Sequence, residues 1–243
     1  MKRTYEKELQ IDCFGYTYHV DCLEHCITNA FGQCTESHHS TCIECNKVSN
    51  LFQVLVNYIP QEIEEIVENW EKLQYYWSHQ VRKTYLNAQF NASLLTLDEN
   101  GAIIIVDYKM KILPKSLREV KSDFFGKSGW TLHSMLIYTK KEDNLEIHVF
   151  DHWSSDTVQD AWFTSSAFEA VFNNLDKKPL WIKIISDNGA HYHCAELMAI
   201  IAKWNSWYGI EVRNWIFLKA GEAKTTIDSH HAQVNLLFMI DFI

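Results

Sequence analysis

Proline and glycine are scarce, 3 and 8 in 243 residues, which excludes a Pro- or Gly-rich low-complexity linker. No run of 18 or more apolar residues occurs, so no membrane span is expected. The N-terminus, Met-Lys-Arg-Thr-Tyr-Glu-Lys-Glu, lacks the apolar stretch of a secretory signal, and an intracellular, reducing compartment is the expectation. The seven cysteines are then better read as metal ligands or buried thiols than as disulfides. Basic charge is also short, with a formal net charge of −9. That is not the usual footprint of a nucleic-acid binder. It is softened locally, because Lys109, Lys111, Lys115, Arg118 and Lys121 share one short span. What the chain does have is apolar content, 47% with 14% aromatic, enough for a substantial core.

Six of the seven cysteines and four of the twelve histidines fall between Cys13 and Cys45. Thiolate and imidazole donors at these separations suit tetrahedral zinc. Cys34, His38 or His39, Cys42 and Cys45 read as one ligand set. His19-x2-Cys22-x2-His25-Cys26 reads as a second, or as donors that mix with the first in a cross-braced arrangement. The candidate ligands are Cys22, His25, Cys26, Cys34, His38, Cys42 and Cys45. Apolar side chains are sparse from Thr28 to Asn46, so this module, residues 1–47, has little to fold around except metal.

Residues 48–92 read as a helical linker. Pro60 fits a first helical turn, and Ile63, Ile66, Val67, Trp70, Leu73, Tyr76 and Trp77 recur at three- and four-residue spacing. From Ser93 the period changes. Ala102–Val106 is a continuous apolar run ending in Asp107, the pattern of a strand buried on both faces. A carboxylate there is costly unless something pairs with it. Strands are expected over Trp130–Thr139, Leu145–His152, Trp181–Ser186 and Ile210–Leu218, with a polar hairpin turn at Lys140–Asn144. Helices are expected over Gln159–Leu175, Cys194–Tyr208 and Thr225 to about Phe238, and Trp153, Trp162, Trp204, Trp207 and Trp215 are expected in the core. Three hairpin-linked strands followed by alternating elements imply a mixed sheet with helices on both faces, an α/β domain over residues 93–243.

That order, with acids at strand ends, resembles the RNase H-like core of DDE transposases and retroviral-type integrases. Asp107 in Ile-Val-Asp-Tyr matches the family's first acid. Asp187 in Ile-Ile-Ser-Asp-Asn-Gly-Ala matches the second, and Asp228 in Lys-Thr-Thr-Ile-Asp-Ser-His-His-Ala the third, with Glu222 as the competing residue. The Cys/His cluster is similar to zinc modules that precede transposase cores. The resemblance implies a five-stranded mixed sheet flanked by helices and DNA as partner, with self-association a further expectation. It also implies magnesium or manganese on Asp107, Asp187 and Asp228, with phosphodiester cleavage or strand transfer in the nucleus or another intracellular compartment. The chain ends soon after the last helix, where transposase cores usually continue, so a shortened or silent core is part of the expectation. The alternatives are a domesticated, non-catalytic DNA- or protein-binding protein and another RNase H-like nuclease. Lys224 before the last helix, and His191, His193, His230 and His231 near the acids, are candidate phosphate contacts or structural residues.

Overall fold

The computed structural model describes residues 9, 11–112, 129–219 and 225–240, leaving aside the side chains at 110, 111, 225 and 236–240. Lys111 as a side chain, Lys115, Arg118, Lys121, Glu222, Lys224 and the terminal apolar run lie outside the described residues. The chain divides into two compact units, Met1–Ser93 and Leu94–Ile243. Among the described residues no helix is long and apolar enough to cross a membrane.

In the first unit a short helix, α1 (Ile27–Ala30), lies inside the Cys/His region. The linker is two helices rather than one, α2 (Ile43–Tyr58) and α3 (Ile63–Leu95). Pro60 accounts for the break. The residue before a proline is driven out of the helical region, and Ile59 sits at φ −130°, ψ 63°. The inward stripe of α3 is narrower than the sequence suggests. Ile66, Trp70, Leu73 and Trp77 are half-buried, whereas Ile63, Val67 and Tyr76 are exposed. Phe52 of α2 meets Trp70 at 4.8 Å between ring centroids, which joins the two helices. Leu9, Ile27 and Val81 form a small separate core.

The second unit is a five-stranded sheet. Its strands are β1 (Gly101–Ile112), β2 (Trp130–Lys141), β3 (Asn144–Ser154), β4 (Trp181–Asp187) and β5 (Glu211–Leu218), in the spatial order β3-β2-β1-β4-β5. β1–β2 and β2–β3 are antiparallel, and β1–β4 and β4–β5 are parallel. The helices are α4 (Ala161–Asn174), α5 (Ala195–Ile201), α6 (Trp204–Tyr208) and α7 (Thr225–Ile240). The expected helix Cys194–Tyr208 is thus interrupted at Ala202–Lys203, and Gly209 ends it with φ +68°, a left-handed cap. This mixed sheet with flanking helices is an RNase H-like α/β arrangement.

Period-2 geometry sends alternate residues of β1 to opposite faces. Ala102, Ile104, Val106 and Tyr108 join the main core with Met135, Ile137, Ile182 and Ile184, capped by Phe168, Val171 and Phe172 of α4 and by Leu197, Ile201 and Trp204. Ile103, Ile105 and Asp107 face the other way, and α7 lies against β1 and β2. Asp160 caps α4, its carboxylate accepting the Phe163 N–H at 2.8 Å. Of the five tryptophans expected in the core, Trp204 is buried and Trp215 packs against it, but Trp162 and Trp207 are 63% and 58% exposed. Those two fall on the solvent side of their helices.

At the β2–β3 hairpin, Lys141 pairs with Asn144, so Glu142 and Asp143 form a two-residue turn. Both have positive φ, 49° and 64°. Side chains other than Asn, Asp and Gly are disfavoured there, and Asn-Gly is the preferred pair. Replacing Glu142-Asp143 by Asn-Gly is expected to raise unfolding free energy by about 1 kcal/mol, mostly from relieving the two positive-φ positions. Urea denaturation checks this; a lowered midpoint would contradict it.

Candidate active site and candidate metal centre

Strand register builds the acidic site. Asp107 of β1 pairs with Ser134 of β2, and Ser134 pairs with Asp151 of β3. On the other side, β1 and β4 pair in step from Gly101↔Trp181 to Ile105↔Ile185, and the same offset continued two residues past the last pair sets Asp107 level with Asp187. Residues level across adjacent strands share a face. Asp151, Ser134, Asp107 and Asp187 therefore form one polar row across four strands. It lies where β4 ends, at the carboxyl ends of parallel strands where α/β sheets hold ligands.

The row is covered from α7. Ile227, His231 and Val234, spaced i, i+4, i+7, are buried, which fixes the inward stripe of this helix. His231, 3% exposed, reaches Asp107 with Nδ1 3.7 Å from Oδ2, and Asp107 itself is only 7% exposed. The neighbouring His230 places Nε2 at 3.0 and 2.9 Å from the two oxygens of Asp151. The Ser134 hydroxyl donates to the same carboxylate at 2.5 Å. Asp228 is off the stripe and exposed to solvent. Among the described residues the only groups of three or more acidic, histidine or cysteine ligand atoms within mutual reach of one ion are in the first unit. The structure thus sets Asp107 and Asp187 level, and does not gather Asp228 with them. Glu222 lies outside the described residues.

Asp187 ends β4 in an Asx turn, its Oδ1 accepting the Gly189 N–H at 2.9 Å. A Cβ at residue 189 would sit within 2.9 Å of both the His191 ring and the Asp187 carboxylate, so any larger residue in Asp-Asn-Gly would displace those two side chains. His191 Nε2 stands 3.4 Å from Asp187 Oδ1. His193 bonds Asn188 Oδ1 at 2.7 Å and stacks on Phe217. His191 and His193 are thus part of the turn that presents Asp187.

Behind the row, on the α4 face, Tyr108 stacks on His133 at 4.1 Å and shares a 2.8 Å hydrogen bond with Thr164. His133 Nε2 pairs with the Tyr192 hydroxyl at 2.9 Å. Burial pushes the Tyr192 phenol well up, and Tyr108, Asp107 and Asp187 add to it. Burial also drives the His133 imidazole well below its ordinary value, reinforced by His152, His191 and His231. His133, Asp151 and Ser134 carry no motif; the signal that could have picked out Asp151 is an acid in step with Asp107 across two antiparallel strands.

The Cys/His region gathers eight donors into two sets, His19/Cys26/Cys34/His38 and Cys22/His25/Cys42/Cys45, each with its ligand atoms within 4.8 Å of one another. The expected set of Cys34, a histidine, Cys42 and Cys45 is therefore split between them, and the mixed alternative is the one observed. The cause is local. A parallel bridge between Cys22 and Ser40 brings residues 40–42 beside Cys22, whose sulfur accepts the Cys42 N–H at 3.4 Å. The Asp21 carboxylate takes the His39 N–H at 2.7 Å, which leaves the His39 side chain exposed and His38 within the first set. Cys42 also caps α2, its sulfur accepting the Cys45 N–H at 3.3 Å. Cys13 is exposed and outside both sets, and His19 is the donor that completes the first.

The donors fit tetrahedral zinc. Zn–S and Zn–N bonds of about 2.3 and 2.0–2.1 Å give a ligand-to-ligand edge of roughly 3.6 Å. His19 Nδ1 lies 3.3 Å from Cys34 Sγ and 4.0 Å from Cys26 Sγ, and His25 Nδ1 lies 3.3 Å from Cys22 Sγ and 4.0 Å from Cys45 Sγ. Burial and the nearby Cys42 and Cys22 thiols push the Cys45 thiol up. Burial also opposes ionisation of Cys26, but hydrogen bonds from His38 and Thr28 outweigh it and hold that thiol down to about 6. A dication would relieve the crowding of sulfurs in the one set and meet a ready thiolate in the other.

The second unit is an RNase H-like domain with two level carboxylates on adjacent parallel strands. The chain belongs to the family described as Domain of unknown function (DUF8701), which matches residues 87–239. No curated protein sequence matches it. Among solved structures, the crystal structure of the Mos1 Strand Transfer Complex aligns with TM-score 0.30 and 11% identity, over 55% of this chain and 41% of that one. The chain thus spans less than half the length of the chain it matches there. A likeness that slight carries no functional weight, which rests instead on strand order and side chains.

The buried histidine gives a pH dependence. His133 has a folded pKa below the ordinary 6.5, so the unfolded chain binds the extra proton first as pH falls. Its contribution is fully present above about pH 6.5 and is lost below it, at up to ~1.4 kcal/mol per pH unit. The thermal midpoint of the second unit is expected to drop between pH 7 and 5. His133→Phe, which keeps the stack on Tyr108, should flatten that slope; an unchanged slope assigns it to other groups.

Proposed function

We propose that this is a transposase-like protein whose second unit cleaves or transfers DNA phosphodiester bonds with the help of divalent cations at Asp107 and Asp187. In this reading the first unit is a zinc-dependent module. The observation that supports the reading is the in-step parallel pairing of β1 and β4 up to Ile105↔Ile185, whose register, continued, sets Asp107 level with Asp187. Two carboxylates at that point attract hard cations, and magnesium or manganese bound there would supply charge stabilisation and an activated oxygen nucleophile. The protein's own contribution is positional. The Asx turn and Gly189 fix Asp187, while the sheet and His231 fix Asp107. Asp228, solvent-facing one helical turn before His231, is the accessible acid from which a third ligand would come, with Glu222 as the alternative. The reading entails DNA as partner and a nuclear or other intracellular compartment.

A second reading, a transposase-derived protein that binds DNA or protein without cutting it, is favoured by the exposure of Asp228 and by the seat of His231 beside Asp107. One experiment separates the two. Nicking or strand transfer of DNA is measured with magnesium or manganese for the parent chain, Asp107→Asn and Asp187→Asn. Metal-dependent activity that falls at least about a hundredfold in both variants supports catalysis, on the scale of losing one electrostatic stabiliser. Activity indifferent to both substitutions removes the assignment. No activity in the parent, with DNA binding retained, selects the second reading.

A further inference from the structure

The two Cys/His sets alternate along the chain. His19 belongs to the first, Cys22 and His25 to the second, Cys26, Cys34 and His38 to the first, and Cys42 and Cys45 to the second. Neither set is a self-contained loop. Cys22 and His25, which flank and end the 3-10 turn Leu23–His25, lie inside the segment that His19 and Cys26 close. The first set's Cys34 and His38 in turn lie inside the segment that Cys22 and Cys42 close. Cys26 follows His25 directly, so adjacent residues serve different sets.

We propose that the first unit binds two zinc ions in these interleaved sets, one Cys2His2 and one Cys3His, and that neither site holds together without the other. The inference rests on the zinc reading given above and deepens it to stoichiometry, pairing and interdependence. Eight donors in two disjoint groups cannot serve one four-coordinate ion. Closing one site brings the other's donors into reach, because each segment's loop entropy is shared. With one ion absent, the turn carrying Cys22, His25 and Cys26 loses either two of its three anchors or the third, and the remaining site must close a longer, slack loop. Among the described residues the apolar side chains that could hold the geometry alone are few; of the buried cluster Leu9, Ile27 and Val81, Ile27 directly follows the ligand Cys26. The second set has a further consequence, since Cys42 and Cys45 are the cap and first turn of α2. Occupancy of that site therefore sets where the helical part of the unit begins.

The full chain, stripped of metal by a chelator under reducing conditions, is titrated with zinc and followed by native mass spectrometry. Cobalt is used as the spectroscopic probe. The expected result is two equivalents per chain, with the one-metal species never dominant. His19→Cys should still take two ions and alter the cobalt–thiolate absorption of one site only. Cys26→Ser and Cys45→Ser, each touching one set, should both lose the two ions together. One equivalent, a stable one-zinc species midway, or a single-set variant that keeps its other ion at full affinity overturns the proposal. Failure to bind any zinc overturns the zinc reading of the module as well. Either failure leaves the DNA-cleavage test at Asp107 and Asp187 independent.

Discussion

The parallel pairing of β1 with β4 is the constraint on which the second unit depends. It joins the antiparallel β1–β2–β3 sheet to the crossover half, and it aligns Asp107 with Asp187. An apolar run such as Ala102–Val106 is stable only when both faces are covered, which requires helices on both sides of the sheet. α4 to α6 cover one face and α7 the other. The buried carboxylate is the exception within that arrangement. Desolvating it is offset by His231, whose Nδ1 stands 3.7 Å from its carboxylate, and by its place where β4 has ended and the sheet opens; the acids beside it add like-charge repulsion that a cation would relieve.

The first unit rests on different physics. Among the described residues its apolar cluster buries Leu9, Ile27 and Val81, worth about 5–9 kcal/mol by burial of those three side chains. Structural zinc contributes on the order of 10–16 kcal/mol per site in small modules, so under the proposed reading metal outweighs apolar packing there. Polar clips supply the remaining definition. Arg82 of α3, itself buried, donates to the Ala30 carbonyl at 3.2 Å, and Gln89 donates to Gly15, whose φ of +82° needs glycine.

Much of the second unit was legible because its strands announce themselves by period and its turns by composition. Asp98-Glu99-Asn100-Gly101 forms a turn, closed by the Gly101 N–H on the Asp98 carbonyl at 3.3 Å, that leads into β1. Asp98 binds the Asn100 N–H and the Trp181 indole, and Gly101 must lack a side chain because Trp181 covers it. What sequence could not rank was helix phase and donor pairing. Asp228 and His231 lie three apart, and only the stripe Ile227–His231–Val234 decides which of them meets the sheet. Nor does spacing separate His38 from His39; a hydrogen bond from the His39 backbone to Asp21 does. Eight alternating donors allow many pairings, and the Cys22–Ser40 bridge, a contact between distant residues, selects one.

His230 and His231 are consecutive, yet they engage strands β3 and β1, which β2 separates by about 10 Å. Consecutive helical residues diverge by roughly 100°. α7 packs against both β1 and β2, so it lies over that pair of strands with one histidine reaching to either side of β2. Such a seating fixes both the roll of the helix and its slide along the sheet. A shift of one residue in either sense would lift both histidines from their carboxylates at once. The angular setting of every other group on α7, Asp228 included, is thereby dictated by this pair.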